Sequence, residues 1–181
     1  MNSAPPSREP DPPPLDVKRI VSTLDAHGVQ YLLIGGLGAT LYGAERVTQD
    51  IDLVPRTDAE NLSRLAAALR ELGAFLRVGG LSDEEAKALP VVIDGPALAA
   101  TEVTTWRTAA GDVDILATIR GEAGERRRYA DLVDRSSETV VTGVAVRVAS
   151  LQDIVASKRF AGRDKDLEAL PELERLLAQD D

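Results

Sequence analysis

Apolar side chains at Leu15, Val17, Ile20, Val21 and Leu24 recur at helical spacing and stop at Gly28, which predicts a first helix. The pattern then changes to a continuous apolar run ending at Ile34, read as a buried strand from Gln30 to Ile34 that leads into Gly35-Gly36-Leu37-Gly38. Ala39 to Tyr42 is expected to form a short helix before Gly43. Asp50 to Val54 is a second strand, stopped by Pro55, which has no N–H for a ladder. Thr57 or Asp58 caps a helix carried by Leu62, Leu65, Ala66, Leu69 and Leu72 and closed by Gly73.

From Gly79 to Ala100 the pattern loses its period: an acidic helical fragment, Pro90, a β-rich Val91 to Ile93 and a turn at Asp94-Gly95-Pro96 suggest a loop bordering the ligand. Thr101 to Thr108 and Asp112 to Ile119 alternate as antiparallel strands about a turn at Ala109 to Gly111. A helix near Glu125 to Val133 follows, then Thr139 to Val141 and Val144 to Val148 joined at Thr142-Gly143. Ser150-Leu151-Gln152-Asp153 is a capping pattern that opens a helix, and a final helix covers Lys165 to Ala178 with a break at Pro171. There is no internal repeat.

The chemistry begins at Asp50-Ile51-Asp52-Leu53. On a strand the two aspartates point to one face and Ile51 and Leu53 to the other, so the carboxylates repel unless a cation lies between them. A Mg²⁺ shared between carboxylates and substrate phosphates is the usual relief. Asp114, in Asp112-Val113-Asp114-Ile115, is favoured as the third carboxylate because Asp112 lies beside a turn, where aspartate is ordinary; alternation alone leaves the two open. Gly35-Gly36 between a strand and a helix offers backbone amides to phosphate oxygens. Dinucleotide and P-loop readings fail, since Leu41 stands where the third glycine belongs and Gly43 is followed by Ala44-Glu45. Lys158 falls seven residues after Leu151 on a buried stripe, where a lysine must snorkel or meet an anion such as a triphosphate. Asp164 and Asp166 cap the last helix or pair with Lys158 and Arg163. His27, the single histidine, suits a helix C-terminus rather than catalysis.

Composition narrows the classes. A net charge of −9 and a sequence pI near 4.7 argue against a broad basic nucleic-acid surface. Two local basic patches remain, Arg126-Arg127-Arg128, read as a solvated helix face, and Lys158-Arg159 with Arg163 and Lys165. Aromatics are 3%, so stacking on aromatic platforms is not expected to dominate ligand binding. The absence of cysteine removes disulfides and thiolate metal sites. Residues 1–14 are proline-rich and read as a disordered tail, and no stretch is apolar enough to span a membrane, so a cytoplasmic protein is expected.

Ile34-Gly35-Gly36 followed by Asp50-Ile51-Asp52-Leu53 resembles the signature of the DNA polymerase β-like nucleotidyltransferase superfamily, and the run from Ser150 to Leu167 is similar to AbiEii-type nucleotidyltransferase toxins. The resemblance implies an α+β fold, a mixed β-sheet flanked by helices, with a core over 15–149 and a C-terminal helical segment over 150–181 packed on it. It implies Mg²⁺-dependent (or Mn²⁺-dependent) transfer of a nucleoside monophosphate from an NTP, CTP favoured, to the 3′ end of tRNA, by a toxin restrained by a cognate antitoxin. Under it Asp50 and Asp52 hold metal, Gly36 contacts phosphate, Lys158 binds the triphosphate and Asp166 or Asp164 supplies a later acidic motif. Many such toxins have Gly-Ser where this chain has Gly35-Gly36, and Thr48 is the substitute for the missing hydroxyl. The expected reaction is in-line attack by an acceptor hydroxyl with Asp114 favouring its deprotonation. The competing expectations are a nucleotidyltransferase antitoxin, an enzyme modifying a protein or small-molecule hydroxyl, and an inactive nucleotide-binding module.

Overall fold

The computed structural model describes residues 13–45 and 47–179; most of the proline-rich tail lies outside the described residues. A seven-stranded mixed sheet runs in the order β3-β4-β5-β2-β1-β9-β8. Its strands are β1 (Tyr31–Ile34), β2 (Asp50–Pro55), β3 (Phe75–Leu76), β4 (Val103–Thr108), β5 (Gly111–Leu116), β8 (Ser137–Val141) and β9 (Val144–Val148). A separate hairpin pairs β6 (Ile119–Arg120) with β7 (Arg126–Arg127). The helices are α1 (Val17–Ala26), α2 (Gly35–Leu41), α3 (Ala59–Glu71), α4 (Asp83–Lys87), α5 (Gly95–Ala99), α6 (Tyr129–Leu132), α7 (Leu151–Ala161) and α8 (Asp164–Leu177).

The three central strands decide the site. β1 and β2 are antiparallel with Ile34 opposite Asp52, while β2 and β5 are parallel with Asp50 opposite Asp112 and Asp52 opposite Asp114. Ile51, Leu53 and Val113 go to the other face and are buried. Helices α1, α3 and α5 pack in sequence, while α2 meets α7 and α7 meets α8. One apolar cluster joins the sheet to Leu151, Ile154 and Val155 of α7 and Leu170 and Leu173 of α8.

Local signals explain most element ends. Asp16, Asp58 and Ser150 each accept a hydrogen bond from a backbone N–H three residues on, at the starts of α1, α3 and α7. Of the two expected caps for α3, Asp58 is the one used. Thr142 and Gly143 both take positive φ, 52° and 92°, which closes the β8–β9 hairpin with the matching twist.

Four expectations are corrected. The helix expected at Ala39 to Tyr42 begins at Gly35, immediately after β1. Residues 79–100 contain α4 and α5, and α5 packs on α3, so this segment braces the helices and does not border the cleft described below. Arg126 and Arg127 form a strand rather than a helix face and are ion-paired, Arg126 with Glu102 and Arg127 with Glu125 and Asp153. Helix α8 runs through Pro171 unbroken; the proline withholds only its bond to Leu167, an exposed residue.

Candidate active site

Because Ile34 lies opposite Asp52, the chain leaving β1 emerges beside that carboxylate. Gly35 takes φ +64°, and a Cβ there would overlap the Asp52 carboxylate. A Cβ on Gly36 would come 2.9 Å from Thr48 Oγ1. The glycine pair is therefore set by two neighbours, an acid and a hydroxyl. The Thr48 hydroxyl is 2.9 Å from both the backbone oxygen and Oδ1 of Asp50, so it donates to Asp50 and steadies it.

These residues form one wall of a cleft of about 290 Å³. Asp50, Asp52, Asp114, Gly35, Gly36 and Thr48 line it, and Lys158, Arg163, Lys165 and Asp166 face them from α7 and the start of α8. The cleft thus brings together Gly35, Gly36, Thr48, Asp50, Asp52, Asp114, Lys158 and Asp166, but not Asp164. Asp164 is the first residue of α8 and exposed, without a bond to Lys158 or Arg163 among those described. His27 ends α1 and bonds Glu71 at 2.7 Å, a structural link remote from the cleft.

The fold gives Asp112 and Asp114 different surroundings. Arg107, itself 2% exposed, donates from Nε to Asp112 Oδ1 at 3.0 Å and from Nη2 to Oδ2 at 3.3 Å, and Arg77 lies 3.5 Å from the same carboxylate. Asp112 is spoken for. Asp114 keeps Oδ1 buried with no hydrogen-bond partner. Its pKa is raised, first by burial and then by Asp50 and Asp112, with a hydrogen bond to Thr105 opposing. Asp52 is pushed up to about 7, first by burial and then by Asp50 and Asp114, against the pull of Lys158 and Lys165.

That donor set fits a divalent cation: two acids with raised pKa, an orphaned carboxylate oxygen and a third acid on one sheet face. Asp50, Asp52 and Asp114 would hold it. Among the described residues no three such groups enclose an ion by themselves, which suits an ion completed by phosphate oxygens and water.

The opposite wall is cationic. Asp166, fully buried, accepts from Lys158 Nζ at 3.2 Å and from Arg163 Nε at 2.6 Å. Burial works to raise its pKa, but the bonds from Arg163 and Lys158 outweigh this and hold it below the usual range. Asp166 therefore grips the two cations rather than facing an anionic ligand directly. Lys165 enters the sequence reading only within the basic patch of Lys158, Arg159 and Arg163; it lines the cleft and acts on both Asp52 and Asp114.

The family model described as "Nucleotidyl transferase AbiEii toxin, Type IV TA system" matches residues 19–166. The chain belongs to the AbiEii nucleotidyltransferase family. It is accordingly a nucleotidyltransferase, and the matched residues include Gly35, Gly36, Asp50, Asp52, Asp114, Lys158 and Asp166. Solved structures share the fold. The lincosamide antibiotic adenylyltransferase LnuA with lincomycin bound is 18% identical, with a TM-score of 0.55 over 90% of this chain and 99% of that one. A putative nucleotidyltransferase from Thermotoga maritima is 20% identical, with a TM-score of 0.53 over 88% and 90%. ANT(2″)-Ia in complex with adenylyl-2″-tobramycin is 17% identical, with a TM-score of 0.52 over 90% and 93%. No curated protein matches the sequence.

Proposed function

We propose that this AbiEii member transfers a nucleoside monophosphate from an NTP, CTP first among donors, to the 3′-terminal hydroxyl of tRNA, with Mg²⁺ or Mn²⁺ bound at Asp50, Asp52 and Asp114. It would act in the cytoplasm as a toxin restrained by an antitoxin. The observation that carries the reaction is a single cleft with three carboxylates on one wall and Lys158, Arg163 and Lys165 on the other. No helix of the described residues is long and apolar enough to cross a membrane.

The cationic wall and the amides of Gly35 and Gly36 hold the triphosphate, Lys158 as a point charge aimed by Asp166. A bound cation supplies charge neutralisation at the transferring phosphoryl group. Asp114, with its free oxygen, accepts the proton of the acceptor hydroxyl. The acceptor oxygen bonds to the α-phosphorus in line, the bond to the bridging oxygen breaks, and pyrophosphate departs against Lys158 and Arg163. Thr48 acts on Asp50 and fills the space beside Gly36, taking the place of a side chain at that position.

Purified Asp52→Ala should lose label transfer from α-³²P NTP to tRNA and keep its circular dichroism spectrum; transfer retained at the wild-type rate refutes the reaction. Expression of the wild type should arrest growth and that of Asp52→Ala should not, and equal growth of both counts against a toxin. A second reading, transfer to a small-molecule hydroxyl, is favoured by the net charge of −9 and by the antibiotic adenylyltransferases among the structural neighbours. Labelled NTP with tRNA and lysate separates the two by whether label migrates with RNA, protein or a small product.

A further inference from the structure

Phe160 is one of only two phenylalanines in the chain, and it is 54% exposed. An isolated exposed apolar residue is ordinary, but this ring is held. The Arg120 guanidinium lies over it at 5.1 Å from the centroid. Arg120 is itself fixed by donating from Nη1 to the Gly124 carbonyl at 3.0 Å. Gly124 seats the ring from another side, where a Cβ would come 3.0 Å from Phe160 Cε2.

The position of this pair gives it meaning. Leu116 ends β5 in the cleft, two residues beyond Asp114, and the chain continues directly into β6, whose Arg120 covers Phe160. On α7, Lys158 and Ala161 beside Phe160 also line the cleft. Phe160 is thus the sequence neighbour of a cleft residue, and its partner Arg120 sits on β6, which packs against α7. Residues 119–165 hold ten of the 21 Lys and Arg but seven of the 30 Asp and Glu, a balance of +3 in a chain of −9. Arg126, Arg127 and Arg159 are paired with Glu102, Glu125 and Glu174, whereas Arg120 has no carboxylate partner among the described residues.

We propose that Phe160 and Arg120 form a stacking platform for an unpaired nucleobase of an RNA acceptor, next to the 3′-terminal nucleotide whose hydroxyl enters the cleft. This rests on the RNA-acceptor reading above. A π-face beside a guanidinium that has no carboxylate partner among the described residues recognises a base attached to phosphates. A protein partner calls for a continuous apolar patch, whereas this ring is bordered by a guanidinium, bare glycine backbone and Arg159.

The test uses the full chain with α-³²P-labelled NTP and total tRNA, with initial rates read against tRNA concentration. Phe160→Ala should raise the tRNA KM roughly tenfold, the weight of one stacked base, with kcat and the NTP KM unchanged. Phe160→Trp should keep the wild-type KM, and its new indole fluorescence should be quenched by tRNA without NTP. Labelled RNA with an unchanged tRNA KM in Phe160→Ala overturns the platform and leaves the RNA reading standing. Label on protein or a small product but not RNA, with no quenching, overturns both. Loss of antitoxin binding alone in Phe160→Ala assigns the ring to a protein surface and overturns the proposal.

Discussion

Asp52 is held protonated to about pH 7 in the fold against an ordinary 3.8, because it is buried and then because Asp50 and Asp114 share its surroundings. The folded chain therefore keeps a proton that the unfolded chain has released. The stability this contributes is complete below the ordinary value and is lost as pH rises through about 7. A divalent cation favours the ionised form and reverses the loss. Without divalent cation, the Tm of the wild type should fall between about pH 5 and about pH 8 more steeply than that of Asp52→Asn. Mg²⁺ or Mn²⁺ added at the higher pH should raise the Tm of the wild type and not of the variant. Parallel curves would remove Asp52 as the group. At this scale the sequence was informative about Asp50 and Asp52, since strand alternation alone puts them on one face, while Asp114 joins them only through the pairing of β5 with β2. The neutralisation of Asp112 was not legible: the turn expected at Ala109 to Gly111 sets Thr108 opposite Asp112, whereas the tighter turn of the fold pairs Thr108 with Gly111 and so sets Arg107 there.

The start of α8 is where an element shapes the cleft. Asp166 is tied to Lys158 of the preceding helix and to Arg163 just before its own, so one buried carboxylate orients two cations toward the acidic wall. Asp166→Asn should raise the NTP KM roughly tenfold, the scale of a lost charge-assisted hydrogen bond, with a smaller effect on kcat. An unchanged KM would mean that the cations hold their place unaided. Helical periodicity puts Lys158 on the buried stripe and the sequence offers Asp164 or Asp166 as its partner; the fold selects Asp166, because the α7–α8 turn sets which side chain of α8 meets it. Pro171 misled for a related reason. Tertiary packing of Leu170 and Leu173 keeps the helix continuous through a residue whose local preference is to interrupt it.

Across the whole molecule, an ion network ties the segment without periodicity to the strands that line the cleft. Arg107 of β4 holds Asp112 of β5 and donates from Nη1 to Asp83 of α4 at 2.8 Å. Arg107→Met leaves Asp112 buried beside Asp114 with one guanidinium fewer, and should cost about 3–5 kcal/mol in urea unfolding. Arg107→Met with Asp112→Leu should recover much of it, because a matched apolar pair replaces a buried ion pair without an orphaned charge. Equal losses in the single and double variants would show that the guanidinium acts through other partners. The segment carrying Asp83 was illegible in sequence because its elements are five-residue helices, too short to display a period.

Local physics fixed what residues 13–179 declare by themselves: alternation put two acids on one strand face, glycines marked the turn beside them, and caps set the starts of α1, α3 and α7. Tertiary structure decided the rest. Sheet order laid β5 against β2 so that Asp114 meets Asp52, hairpin pairing gave Asp112 its own arginines, and helix packing brought Lys158, Arg163 and Lys165 across from the acids. The division follows from range, since propensity and periodicity act over a few residues of chain, whereas charge balance in the cleft joins groups more than a hundred residues apart.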